Sequence, residues 1–167
     1  EVMAEIELTQ GKIAIVDEED FERLSKYKWC TRKGGNTFYA IRWGPRVDGK
    51  RRVILMHREI LGLKPGDPDV DHRDGNGLNN QKKNLRIATK SQNAMNQQKT
   101  RGTSRFKGVY WHKPSKKWRA RICVNGEQKQ LGHFMDEEEA ARAYDEKARE
   151  IFGEFARTNF GGEVDGL

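Results

Sequence analysis

From Val70 to Asn93 the chain reads VDHRDGNGLNNQKKNLRIATKSQN, and this stretch holds its most reactive combination of side chains. A carboxylate and an imidazole stand side by side in Asp71-His72. Asn84 follows 13 residues after Asp71 and Asn93 follows 22 after it. Carboxylate and carboxamide oxygens suit a hard divalent cation such as magnesium, for which manganese can substitute. A neutral imidazole takes a proton from water near pH 7. Together these are the parts needed for metal-assisted hydrolysis of a phosphodiester.

The elements that must hold these groups are legible nearby. Residues 68–72 read as a strand ending at the Asp-His pair, and 85–89 as a second strand. Between them, Asp74-Gly75-Asn76-Gly77-Leu78-Asn79-Asn80 is loop chemistry, rich in residues that tolerate left-handed backbone angles. A helix opens at Ser91 and carries Asn93.

Over residues 56–96 this pattern resembles the HNH endonucleases, in the intron- and phage-encoded branch whose third letter is Asn. The resemblance implies two antiparallel strands and a helix clasping one metal. It implies His72 as general base, Asp71 and Asn93 as metal ligands through oxygen, and Asn84 as the brace that bonds the loop backbone and aims the imidazole. Such supporting contacts tune a metal site strongly. His57, on a short predicted helix ahead of the motif, is read as structural.

Composition limits the alternatives. Hydrophobic residues make up 35% of 167, so several small modules are expected instead of one large core. Lys and Arg outnumber Asp and Glu 32 to 25, for a net charge of +7, which favours a polyanionic partner. Two separated cysteines, Cys30 and Cys123, predict neither a thiolate zinc cluster nor a disulfide. The charged start EVMAEIEL and the lack of long apolar runs predict no signal peptide and no membrane span. A cytoplasmic protein of its host cell is expected.

Residues 1–55 alternate as a small antiparallel sheet with one short helix at 17–24. Trp29, Tyr39 and Trp43 are read as core, and Arg32, Lys33, Arg42, Arg46, Lys50, Arg51 and Arg52 as basic hairpin tips that either lie along phosphates or are simply solvated hairpin ends. Residues 97–104 are polar and cationic and read as a linker. Its Lys99 and Arg101 are candidate DNA contacts.

Residues 105–161 form a third module of three strands and a helix. Asn125-Gly126 marks a tight hairpin, and Asp136 with Glu139 a capping box. Lys107-Gly108-Val109, Trp118, Leu131-Gly132-His133-Phe134, the run from Ala140 to Asp145, and Asn159-Phe160 resemble the Apetala-type, or ethylene-response-factor, DNA-binding domain. That resemblance implies a sheet lying in the DNA major groove with the helix behind it. Charge divides accordingly: 104–133 hold eight basic residues and one acid, while 134–167 hold four basic and ten acidic. Lys107, Tyr110, His112, Arg119, Arg121 and Lys129 are expected on the DNA-facing side, with Trp118 packing behind.

The expected fold class is α+β, as a small multi-module protein. The modules are an N-terminal antiparallel sheet with a short helix, a central ββα-metal motif, and a three-stranded sheet packed on one helix. The function this implies is a site-directed endonuclease of homing or mobile-element type, acting on double-stranded DNA as a monomer or homodimer and leaving 5′-phosphate and 3′-hydroxyl ends. The alternative is a non-catalytic DNA-binding regulator with a relic metal site. RNA binding is disfavoured, because no aromatic stacking platform of the RNA-module kind stands out.

Overall fold

The computed structural model describes residues 2–97 and 102–161, so Lys99 and Arg101 lie outside the described residues. It is mixed α+β, with small antiparallel sheets in two compact units, Glu1–Thr89 and Lys90–Leu167.

In the first unit β1 (Met3–Glu7) pairs with β2 (Ile13–Asp17), and α1 (Glu18–Ser25) follows directly. Alternation drives Ile6, Ala14 and Val16 inward and leaves Glu5 and Glu7 outside. The first turn of α1 carries Glu18, Glu19 and Asp20, where negative charge complements the helix dipole. A three-stranded sheet joins β3 (Cys30–Gly34), β4 (Thr37–Val47) and β5 (Lys50–Leu55) in that order. The short α2 (Met56–Ile60) leads to the antiparallel pair β6 (Asp69–His72) and β7 (Leu85–Ala88).

The regions expected as separate modules at 1–55 and 56–96 share one core. Ile6, Val16, Leu24, Trp29, Ala40, Met56, Ile60 and Leu85 belong to a single cluster. Trp29 is buried and donates its indole N–H to Leu24 O at 2.9 Å, as a core role requires. Trp43 departs from expectation: β4 runs beyond the core there, and the indole is 54% exposed.

The long β6–β7 loop is tied to the N-terminal hairpin. Ile15 N donates to Leu78 O at 2.9 Å and Asn80 N donates to Ile15 O at 2.7 Å. Asp17 accepts from Gln81 Nε2 and from Lys82 N. Among the described residues Asp17, Glu19 and Asp20 gather their oxygens closely, and the Lys82 ammonium bridges Glu19 and Asp20. This acidic grouping is a clamp on the loop.

The second unit begins with α3 (Lys90–Asn96), followed by β8 (Val109–His112), β9 (Lys117–Val124) and β10 (Glu127–Phe134), with β9 central. The helix α4 (Glu137–Phe152) packs on the sheet through Ala140, Ala141, Tyr144, Ala148 and Phe152. Asp136 caps it, accepting from Glu138 N and Glu139 N. Buried Asp145 accepts from both nitrogens of Asn159 and from Phe160 N, fastening the end of the domain to the helix. Met95 of α3 packs against the cluster of Ile122, Tyr144, Ala148 and Phe152. The helix that closes the expected ββα motif is therefore held by the C-terminal module.

Gly108 is fixed by packing. Its φ is +78°, and a Cβ there would fall 2.0 Å from Tyr144 Cδ2. Gly108→Ala should therefore destabilise the second unit by about 3 kcal/mol, combining overpacking with left-handed strain. Denaturant unfolding of the full chain measures this, and a loss below about 1 kcal/mol would show that Tyr144 moves aside freely.

Candidate functional site

Antiparallel register places Asp71 opposite Arg86 and His72 opposite Leu85. The Arg86 guanidinium donates to Asp71 Oδ2 through Nε at 2.8 Å and Nη2 at 2.6 Å, and both side chains are buried. Removing either partner of such a pair leaves an uncompensated buried charge. Asp71 thus has a structural task beside any role in metal binding.

His72 is buried and faces Asn80, with Nε2 3.3 Å from Asn80 Oδ1. Asn80 is 1% exposed, and its Nδ2 donates to Leu78 O at 3.2 Å. That bond turns Oδ1 toward the imidazole, an acceptor that a proton on Nε2 satisfies. Burial holds the His72 pKa below its ordinary value, against smaller upward pulls from the Asn80 bond, Asp74 and Asp71.

Asn84 bonds across the loop at three points. Its Nδ2 donates to Asn79 O at 2.7 Å and to Asp74 Oδ1 at 3.0 Å, while its Oδ1 accepts from Asp74 N at 3.1 Å. Arg73 N also donates to Asn84 O at 2.9 Å. The loop is closed on itself directly after the imidazole.

His57 packs into the same cluster. Its ring lies 5.1 Å from that of His72 in an edge arrangement, and Tyr39 lies 5.7 Å from His57 and 5.8 Å from His72. Burial, then the proximity of His72 and Arg58, pushes the His57 pKa down to about 3. Burial and Asp71 push the Tyr39 hydroxyl up. Gly77 lets the loop sit against this cluster: a Cβ there would come within 2.5 Å of Phe38 O and 2.7 Å of the Tyr39 ring.

Asn93 lies half-buried on α3. The structure brings Asp71, His72 and Asn84 together within the first unit, whereas Asn93 belongs to the second. The donor chemistry fits a hard divalent cation, because Asp71 supplies a buried carboxylate at a strand end. Tyr39, Asn80 and Arg86 join the site without being expected there from sequence. The opposition of Asp71 and Arg86 is available from strand register, whereas the approach of Tyr39 depends on tertiary packing.

On the C-terminal sheet, the pairings Tyr110↔Arg119 and His133↔Arg119 put these side chains on the face away from α4. Strand alternation adds His112 and Arg121, and the pairing Gln130↔Arg121 adds Gln130. Arg121 stacks 3.9 Å from the Tyr110 ring centre and donates to Gln128 at 2.8 Å. The His112 and His133 rings lie 5.2 Å apart. Trp118 packs toward the helix, as expected.

Two placements are corrected. Lys129 pairs with Ile122, whose side chain is buried under α4, so Lys129 stands on the opposite face from Arg119 and Arg121. Lys107 precedes β8, and its ammonium donates to Met95 O. Burial, followed by Arg157, lowers its pKa to about 8. Gln128, Gln130 and His133 take the vacated places on the open face. The Asn125-Gly126 turn carries the signal, because a two-residue hairpin sets Ile122 opposite Lys129.

Comparison with known proteins agrees with both halves of this geometry. A family model described as HNH endonuclease matches residues 55–95, and one described as AP2 domain matches 104–154. The uncharacterized HNH endonuclease L560 of Acanthamoeba polyphaga mimivirus is 36% identical over 156 residues, covering 90% of this chain and 76% of that protein. Protein 3.8 of Escherichia phage T7 is 34% identical over 108 residues, or 64% of this chain and 88% of that protein. An AP2/ERF and B3 domain-containing transcription repressor of Arabidopsis thaliana, TEM1, is 42% identical over 64 residues, only 18% of its own length. With the first of these matches spanning most of both proteins, the chain belongs to the HNH endonuclease family and joins its nuclease motif to an AP2 domain.

Proposed function

We propose that this chain is a metal-dependent endonuclease of homing or mobile-element type that hydrolyses phosphodiesters in double-stranded DNA, leaving 5′-phosphate and 3′-hydroxyl ends. The observation that carries the reading is the His72 imidazole, whose burial disfavours charge and whose ring faces Asn80, beside the carboxylate of Asp71. Its Nδ1 lone pair takes the proton of the attacking water. Asn84 fixes the backbone around it, so orientation is set before substrate arrives. Bound at Asp71, with Asn93 as the second oxygen ligand by motif order, magnesium or manganese would stabilise charge on the phosphate and on the departing 3′ oxygen. The open face of the AP2 sheet, with Tyr110, His112, Arg119 and Arg121, selects the site by contacts to base edges and phosphates.

The test is plasmid cleavage with magnesium and with EDTA, for the wild type and His72→Ala. Cleavage should require the metal, and His72→Ala should lower the rate about 10²–10⁴-fold while leaving DNA affinity nearly unchanged. Cleavage by His72→Ala near the wild-type rate would move the base elsewhere, with His57 the next candidate. Tight DNA binding without cleavage by the wild type would favour a regulator. A probe of the metal ligand is better made as Asp71→Asn, which keeps a partner for Arg86, than as Asp71→Ala.

The buried imidazoles also set an acid response. His57 has a folded pKa of about 3 against an ordinary 6.5. Between those values the unfolded chain binds a proton that the folded chain refuses, so stability held above pH 6.5 is lost as pH falls. From His57 alone the loss at pH 5 should be about 2 kcal/mol. Denaturant unfolding at pH 7 and pH 5 should show His57→Gln losing less than the wild type by that amount. Equal losses would place the proton uptake elsewhere.

A further inference from the structure

Outside both matched segments, the ends of β4 and β5 project past the core as a two-stranded ribbon closed by Asp48-Gly49, with φ of +50° and +75°. Beyond the bulge at Gly44-Pro45, Arg46 stands directly opposite Arg51 and Val47 opposite Lys50, with Arg52 next along β5. Four basic side chains thus face one acid, Asp48, and all five are exposed. Like charges set opposite one another destabilise a strand pair, and no packing compensates here.

The contrast within β4 is informative. Arg42, ahead of the bulge, is held by Glu59 through Nε at 2.9 Å and Nη2 at 3.0 Å and stacks on Tyr27. Among the described residues, Arg46, Lys50, Arg51 and Arg52 have no side-chain partner. Trp43, opposite Val53, leaves its indole 54% exposed at the foot of the ribbon. An unpaired cationic ribbon with an aromatic at its base is complementary to a polyanion. Its width is that of an element the major groove of B-DNA admits, and a bulge increases the twist such a groove demands.

We infer that the β4–β5 ribbon is a separate DNA-binding surface of this chain, lying in the major groove of the duplex to one side of the cut. Its position links it to the chemistry, because the same strand carries Tyr39, whose ring lies 5.8 Å from that of His72. Eight residues separate Tyr39 from Val47, a reach of about 27 Å or about eight base pairs. The ribbon is therefore expected to meet DNA within one helical turn of the scissile phosphate. Only this last distance rests on the nuclease reading. The surface itself rests on charge and shape.

The experiment compares the full chain with the variant Arg46→Gln/Lys50→Gln/Arg51→Gln/Arg52→Gln and with Arg46→Lys/Arg51→Lys. Binding to a 30-base-pair DNA duplex is measured in EDTA across a range of salt. Each phosphate that the ribbon no longer neutralises should reduce the slope of log K against log salt by about 0.9, so the quadruple variant should fall by about 3 to 4. The lysine variant should keep the wild-type slope. Thermal unfolding of the quadruple variant should match or exceed the wild type, since repulsion is removed. A slope equal to wild type in the quadruple variant would overturn the inference, as would ribbon-dependent binding of equal strength to duplex RNA, whose major groove is too narrow for a ribbon. Plasmid cleavage in magnesium, run in parallel, separates the two readings. A wild type that never cuts, yet whose slope depends on the ribbon, removes the nuclease and keeps the surface.

Discussion

An imidazole buried in a protein is shaped by dry surroundings, which disfavour charge, and by the bonds that aim it. The buried ring of His72 faces the amide of Asn80, and that amide is held from several sides. Asn80 is clamped by its backbone to Ile15, its amide is turned by Leu78 O, and the loop behind it is closed by Asn84. Burying His57 and His72 edge to edge, under Tyr39, disfavours charge on both rings. The N-terminal hairpin, remote in sequence, is thus part of the support of the imidazole.

The second unit answers a different constraint, which is to present one sheet face while burying the other. Small residues on α4, Ala140, Ala141 and Ala148, let the helix approach the sheet closely, and Tyr144 fills the space that Gly108 leaves open. The opposite face is then free to carry Arg119 and Arg121. Stacking on Tyr110 and a bond to Gln128 restrict the Arg121 side chain on that face. The packing of Met95 among these residues makes the AP2 module a support for the helix that carries Asn93.

The order of elements and the placement of Asp71 and His72 at a strand end with Asn84 beside them are legible in the sequence, because strand, loop and helix signals there are local. Basic character alone puts Lys129 on the wrong face, although the Asn125-Gly126 turn fixes its register and alternation then decides its side. Trp43 reads as core because an aromatic in a strand usually is, and only the length of β4 past the core shows otherwise. Asn80 reads as one more loop residue. Its role depends on its bond to Ile15 of β2, far away in sequence, and no local pattern encodes that.

The proposed chemistry requires a His72 ring that burial keeps neutral and that Asn80 orients with its proton on Nε2. Long-range nitrogen–proton correlation spectra of the imidazole, recorded on the full chain in EDTA, report tautomer and charge directly. The expected result is the Nε2–H tautomer of a neutral ring, persisting below pH 6.5, and a mixture of tautomers in Asn80→Ala. A ring protonated on Nδ1, or an imidazolium already formed at pH 6.5, would contradict it.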